Sequence, residues 1–97
     1  MDTLMLNVHL TSQEREKFIK LCQAARASIL AGDEAEACLY FRYAAYIHPF
    51  STTVWIGLAK VVATEEDRRV ALQNVLAINP QHEEARQLLA ELDHSTD

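Results

Sequence analysis

The sequence predicts an all-α protein, with about five antiparallel helices stacked as a short array of helical hairpins. Three observations predict it. Glycine and proline occur only twice each in 97 residues, while Ala, Leu, Glu, Gln and Arg, which enter a helix at low cost, are plentiful. Apolar residues recur three and four apart in segment after segment. Several of these segments are opened by a Thr or Asp with an acid three residues on. Pro49 and Pro80 stand thirty-one residues apart at equivalent stops, as in a repeated unit.

The elements follow in order. Residues 1–11 read as an N-terminal arm, because Leu4, Leu6, Val8 and Leu10 alternate with Met5, Asn7 and His9 at period two rather than 3.6. Such an arm is either a loose terminus or an extended segment that docks in an apolar groove. A helical domain spans residues 12–93. Thr11-Ser12-Gln13-Glu14 is a capping box for helix one, whose stripe is Phe18, Leu21, Cys22, Ala25 and Ile29. Arg15, Lys17 and Lys20 form a small basic cluster on its solvated side.

Gly32 stops helix one, and Asp33 caps helix two with Glu36 reaching back, so the two must pack antiparallel. Ala35, Cys38, Phe41 and Ala45 line one side of helix two and Ala37, Ala44 and Ile47 a neighbouring one, so it should be sandwiched. Tyr40, Tyr43 and Tyr46 form a third strip, expected to be partly buried with wet hydroxyls. Pro49 ends the helix. Ser51, Thr52 or Thr53 caps helix three, which carries Trp55, Leu58, Ala59 and Val62. Thr64 opens helix four with its acids in the first turn, and Val70, Ala71, Val75, Leu76 and Ile78 supply its apolar side, with Leu72 nearby. After Asn79-Pro80, helix five runs from about Glu83 with Ala85, Leu88, Leu89 and Leu92, and residues 94–97 form a polar tail.

Composition narrows the function. A net charge of −5 argues against nucleic-acid binding, which needs a basic face to displace counterions. No apolar run approaches the ~20 residues that span a bilayer, and the first residues lack the basic region of a secretion signal. Cys22 and Cys38 sit among apolar neighbours and are expected free, so a cytoplasmic location is the default. His9, His48, His82 and His94 lack a second ligand at metal spacing, the adjacent Glu65, Glu66 and Asp67 suit a helix start, and two distant glycines cannot cradle a phosphate. The expectation is therefore no enzyme, no metal and no cofactor.

Ala37, Phe41 and Pro49, with Gly32-Asp33 at the turn before them and Trp55, Leu58 and Ala59 after, resemble the tetratricopeptide-repeat family. Ile78-Asn79-Pro80, followed by Ala85 and Leu88 or Leu89, fits the close of a second repeat and the start of a further half. The resemblance covers roughly residues 18 to 92. The sequence departs from the pattern in several places. Its proline spacing is shorter than the ~34-residue repeat. Arg68 stands at the small-residue position and Leu72 at the aromatic one, and Leu21 and Ala24 match the first opening weakly.

The resemblance implies a concave face lined by the first helix of each pair. Its positions here are Ile19, Cys22, Arg26 and Ile29, then Thr53, Ile56, Lys60 and Ala63. Such a face suits a protein or peptide partner with an apolar stripe and an acid, although Cys22, Arg26 and Gly57 do not reproduce the family's carboxylate clamp. So short an array also suggests a homodimer, in which the partner is a second copy.

Overall fold

The computed structural model describes residues 9–95, with side chains as far as His94. Five helices follow one another: α1 Ser12–Leu30, α2 Glu34–Ile47, α3 Thr52–Val61, α4 Glu65–Ile78 and α5 Glu83–Ser95. There is no strand among the described residues. Each helix packs mainly on its neighbours in sequence, α1 on α2, α2 on α3, α3 on α4 and α4 on α5, so α2 is sandwiched as its apolar girth requires. The radius of gyration, 14.0 Å, exceeds the roughly 12–13 Å of a compact chain of this length. The extents are 46 × 39 × 18 Å, a slab about two helices deep given a helix diameter of ~10 Å.

Most helix ends are where the sequence predicts them. Thr11 and Glu14 form a reciprocal capping box: the Thr11 hydroxyl accepts from the Glu14 N–H, and the Glu14 carboxylate accepts from the Thr11 N–H at 2.9 Å. At the other end of α1, the Gly32 N–H donates to the Ile29 carbonyl and the Asp33 N–H to the Ser28 carbonyl. That pair of bonds is a Schellman stop, which needs the left-handed φ of 83° that Gly32 adopts. Ser51 caps α3 and Thr64 caps α4, each through its side-chain oxygen. His48 and Asn79, each preceding a proline, leave the helical region at the ends of α2 and α4.

The core runs the length of the stack, through Ala25, Ala37, Phe41, Ala44, Val54, Leu58, Ala59, Ala71, Leu72, Val75, Ala85 and Leu92. The packing that joins the two hairpins is a ring laid on bare backbone. A Cβ added to Gly57 would lie 2.5 Å from Cζ of Phe41, so the ring occupies the place of the missing side chain. Trp55 packs half-buried against this core, and its Nε1–H donates to the Pro49 carbonyl at 2.7 Å, tying α3 to the break before it.

Several expectations change. Glu36 does not reach back to its cap. Asp33 Oδ1 accepts the Glu36 N–H, while the Glu36 carboxylate lies 3.0 Å from the buried Ser28 hydroxyl and links α2 to α1. Ala35 is exposed, because the core face of α2 is set by Ala37, Phe41 and Ala44 and lies well round the helix from it. Val70 is 50% exposed for the same reason: α4 turns Ala71, Leu72 and Val75 inward, and Leu72 is its largest fully buried side chain. Tyr43 and Tyr46 stand far more in solvent than partial burial implies, and only Tyr40 packs on the core. Helix α5 continues through His94 to Ser95, where the sequence suggested a polar tail. The alternating Leu4, Leu6 and Val8 of the arm lie outside the described residues.

Candidate functional site

The eight positions expected to line a concave face do not share one environment. On α1, Ile19 and Ile29 are 47% and 41% exposed, and Arg26 lies in solvent between them. These three are spaced at seven and three residues, so they share one side of the helix. Cys22, which falls on the same side between Arg26 and Ile29, is buried and belongs to the core. Burial raises its thiol pKa above the ordinary range, with Arg26 pulling weakly the other way, so it is held as a neutral thiol.

Thr53 on α3 and Ala63 just beyond its end are exposed but Ile56 is buried, a correction with a simple cause. A helix of ten residues flanked by α2 and α4 buries most of its circumference, and Val54, Ile56, Leu58, Ala59 and Val61 all turn inward. Neither Cys22 nor Ile56 offers a partner appreciable surface. Lys60 is exposed yet not free: its ammonium lies 2.7 Å from the Glu84 carboxylate of α5. The Lys60 contact holds the Glu84 carboxyl below its usual range. Five of the expected residues, Ile19, Arg26, Ile29, Thr53 and Ala63, therefore remain available on the surface. Helices α1 and α3 do not pack extensively on each other.

A second surface was not expected as a site. On the outer seam of the first hairpin, α1 and α2 enclose an open groove of about 880 Å³. Half-buried Leu21 and Ile47 form its floor, and Tyr43 and Tyr46 rise beside it, 61% and 88% exposed. Lys17 and Arg42 stand at its margin with Glu14, whose carboxylate is committed to the α1 cap. The tyrosine strip and the basic cluster carry the signal for this groove, but taken singly the first reads as partly buried rings and the second as a solvated face. Only the hairpin geometry places them side by side.

Other polar residues that the sequence singled out are structural. Arg68, which breaks the repeat pattern, donates from Nε to the Ala59 carbonyl at 2.8 Å and from its terminal nitrogen to the Val62 carbonyl at 3.2 Å. It satisfies the orphan carbonyls at the end of α3, where a cation is also favoured by the helix dipole. His82 Nδ1 accepts the Ala85 N–H and caps α5, while His48 meets Phe18 edge-on at 5.4 Å. Both cysteines are free thiols. Among the described residues, no three His, Cys, Asp or Glu side chains gather as a metal site, and no helix is long and apolar enough to cross a membrane. Comparison with protein-family models, curated proteins and solved structures returned no match.

Proposed function

We propose that this chain is a non-catalytic protein-interaction module of tetratricopeptide-repeat type, cytoplasmic in setting, which presents the exposed side of α1 and α3 to a peptide or a partner subunit. The observation that carries the reading is the row Ile19, Arg26 and Ile29 on one side of α1: two large apolar residues held in water about a cation. Leaving such side chains exposed gains nothing in folding, and a partner with an apolar stripe and a carboxylate would use all three. The repeat-type reading is supported by the serial hairpins, the Phe41 ring on Gly57 and the two proline-marked breaks. Arg68 and the shortened α3–α4 connection are this chain's own variation on it.

The experiment is photo-crosslinking in the native cell from a residue placed at Ile29, with exposed Glu91 as the control position. A protein captured from position 29 and lost in Arg26→Glu supports the reading. Equal capture from both positions, or capture unaffected by Arg26→Glu, removes it. Light scattering on the purified chain tests the self-association alternative separately, since a concentration-independent monomer excludes a homodimer.

A further inference from the structure

The two ends of the stack differ in a way that points to a missing element. At the C-terminal end, α5 lies on α4 and closes the array. It does so by a consistent chemistry. Ala85 and Leu92 go into the core, and at the margins acids of α5 meet cations of the stack: Glu84 meets Lys60, and Asp93 meets Arg69. Acids on the added helix, cations on the stack and apolar side chains between them make up the closure.

At the N-terminal end the stack's half of that arrangement is present and the added helix is not among the described residues. The α1–α2 seam offers an apolar floor, Leu21 and Ile47, with exposed tyrosine rings beside it. Lys17 and Arg42 stand at its margins, and among the described residues neither forms an ion pair with a carboxylate. Arg42 donates its Nε–H to Cys38 Sγ at 3.3 Å on its own helix, and Asp67 attracts it without pairing. In a chain with fourteen acids and nine bases, unpaired cations around an apolar floor are the less expected arrangement. Repeat arrays need polar-faced elements at both ends, and a groove between two antiparallel helices is the shape that receives a third.

We propose that the α1–α2 seam docks an amphipathic helix of a partner protein, one whose apolar stripe is flanked by Glu or Asp, in the manner in which α5 closes the opposite end. The stripe covers Leu21, Ile47 and the faces of Tyr43 and Tyr46, and the flanking carboxylates pair with Lys17 and Arg42. This surface lies on the far side of α1 from Ile19 and Arg26, so the inference does not rest on the function proposed above.

The test uses the full chain and two synthetic helical peptides with the same Leu stripe, one flanked by Glu and one by Lys, titrated while backbone amide shifts are followed by NMR. The Glu-flanked peptide should perturb Lys17, Leu21, Tyr43 and Tyr46 and bind at least roughly tenfold more tightly than the Lys-flanked one. Added salt should weaken it. Lys17→Glu with Arg42→Glu should reduce its affinity by a similar factor, and circular dichroism should show unchanged helix content because both side chains are exposed. Equal binding of the two peptides, no binding, or shifts centred on Ile19 and Ile29 would overturn the proposal. Two further outcomes would also overturn it by naming a different occupant. Dimerisation abolished by Tyr46→Ser assigns the seam to a second copy, and binding seen only after removal of residues 1–8 assigns it to this chain's own first residues.

Discussion

The first hairpin and the three helices after it handle their cations in opposite ways. Among the described residues, Arg15, Lys17, Arg26 and Arg42 of α1 and α2 reach no acid on another helix, and Lys20 pairs only with Glu16 one turn away. In α3 to α5, Lys60 and Arg69 each bridge to α5, and Arg68 holds the end of α3. Exposed apolar side chains divide similarly. Among the described residues, seven of the eight large ones, from Ile19 to Phe50, precede α3, and only Val70 follows it. Three of the four Lys and Arg of the second half, Lys60, Arg68 and Arg69, tie one helix to another, whereas among the described residues none of the five in the first half does. Substitutions of cations in the two halves should therefore read out differently in stability.

The largest effect is expected at the joint between the halves. Phe41→Ala empties a buried aromatic site and should cost about 3–5 kcal/mol. A domain of this length holds only ~5–15 kcal/mol. The single tryptophan, Trp55, lies just across that joint, so its fluorescence is the natural probe of the urea transition. A shift of only a tenth of the wild-type midpoint would mean that the halves do not depend on each other through this ring. Gly57→Ala should cost about 1–3 kcal/mol by overpacking the same contact from the other side, and combining it with Phe41→Leu should recover part of the loss.

Arg68→Ala should come next, at about 1–3 kcal/mol, since it strips two part-buried carbonyls of their donor. Arg68→Lys should restore little, because an ammonium lacks the planar fork that reaches both. If lysine restores full stability, charge at the end of α3 matters and geometry does not. Lys60→Met should remove no more than ~1 kcal/mol, as for other exposed pairs. Its sign with pH is fixed by the lowered Glu84 carboxyl. The pair's contribution is complete above the ordinary glutamate range, near roughly pH 4, and fades as acid protonates Glu84. Wild type and variant should therefore converge in stability on acidification, and a gap that widens would contradict the pairing. Smallest of all, Tyr46→Ser should move the melting free energy by less than about 0.5 kcal/mol, because the ring is 88% exposed. A large loss there would break the contrast between the halves.

Local chemistry made most of the fold legible. The caps Thr11, Asp33 and Thr64, the stop at Gly32 and the two proline breaks act within a few residues, so their meaning survives without coordinates. Burial was legible where one helix face was apolar and failed where more than one face was. Helix α3 and the residues just after it are mostly apolar, and sequence spacing could not separate Ile56, which is buried, from Ala63, which is not. The partners of Glu36 and Arg68 lie six to nine residues away around a turn, beyond the reach of a capping rule that spans three. The seam depended on two helices at once. Lys17 and Tyr46 are ordinary surface residues until the hairpin closes and sets them about one groove.

The contact between the Phe41 ring and the bare Gly57 backbone has a geometric consequence. With no Cβ at Gly57, the Phe41 ring lies directly on the α3 backbone, and the aromatic side chain keys into one position along its neighbour. Sliding either helix by one residue would bring the ring against a side chain in place of bare backbone, so this contact favours one register between the two hairpins.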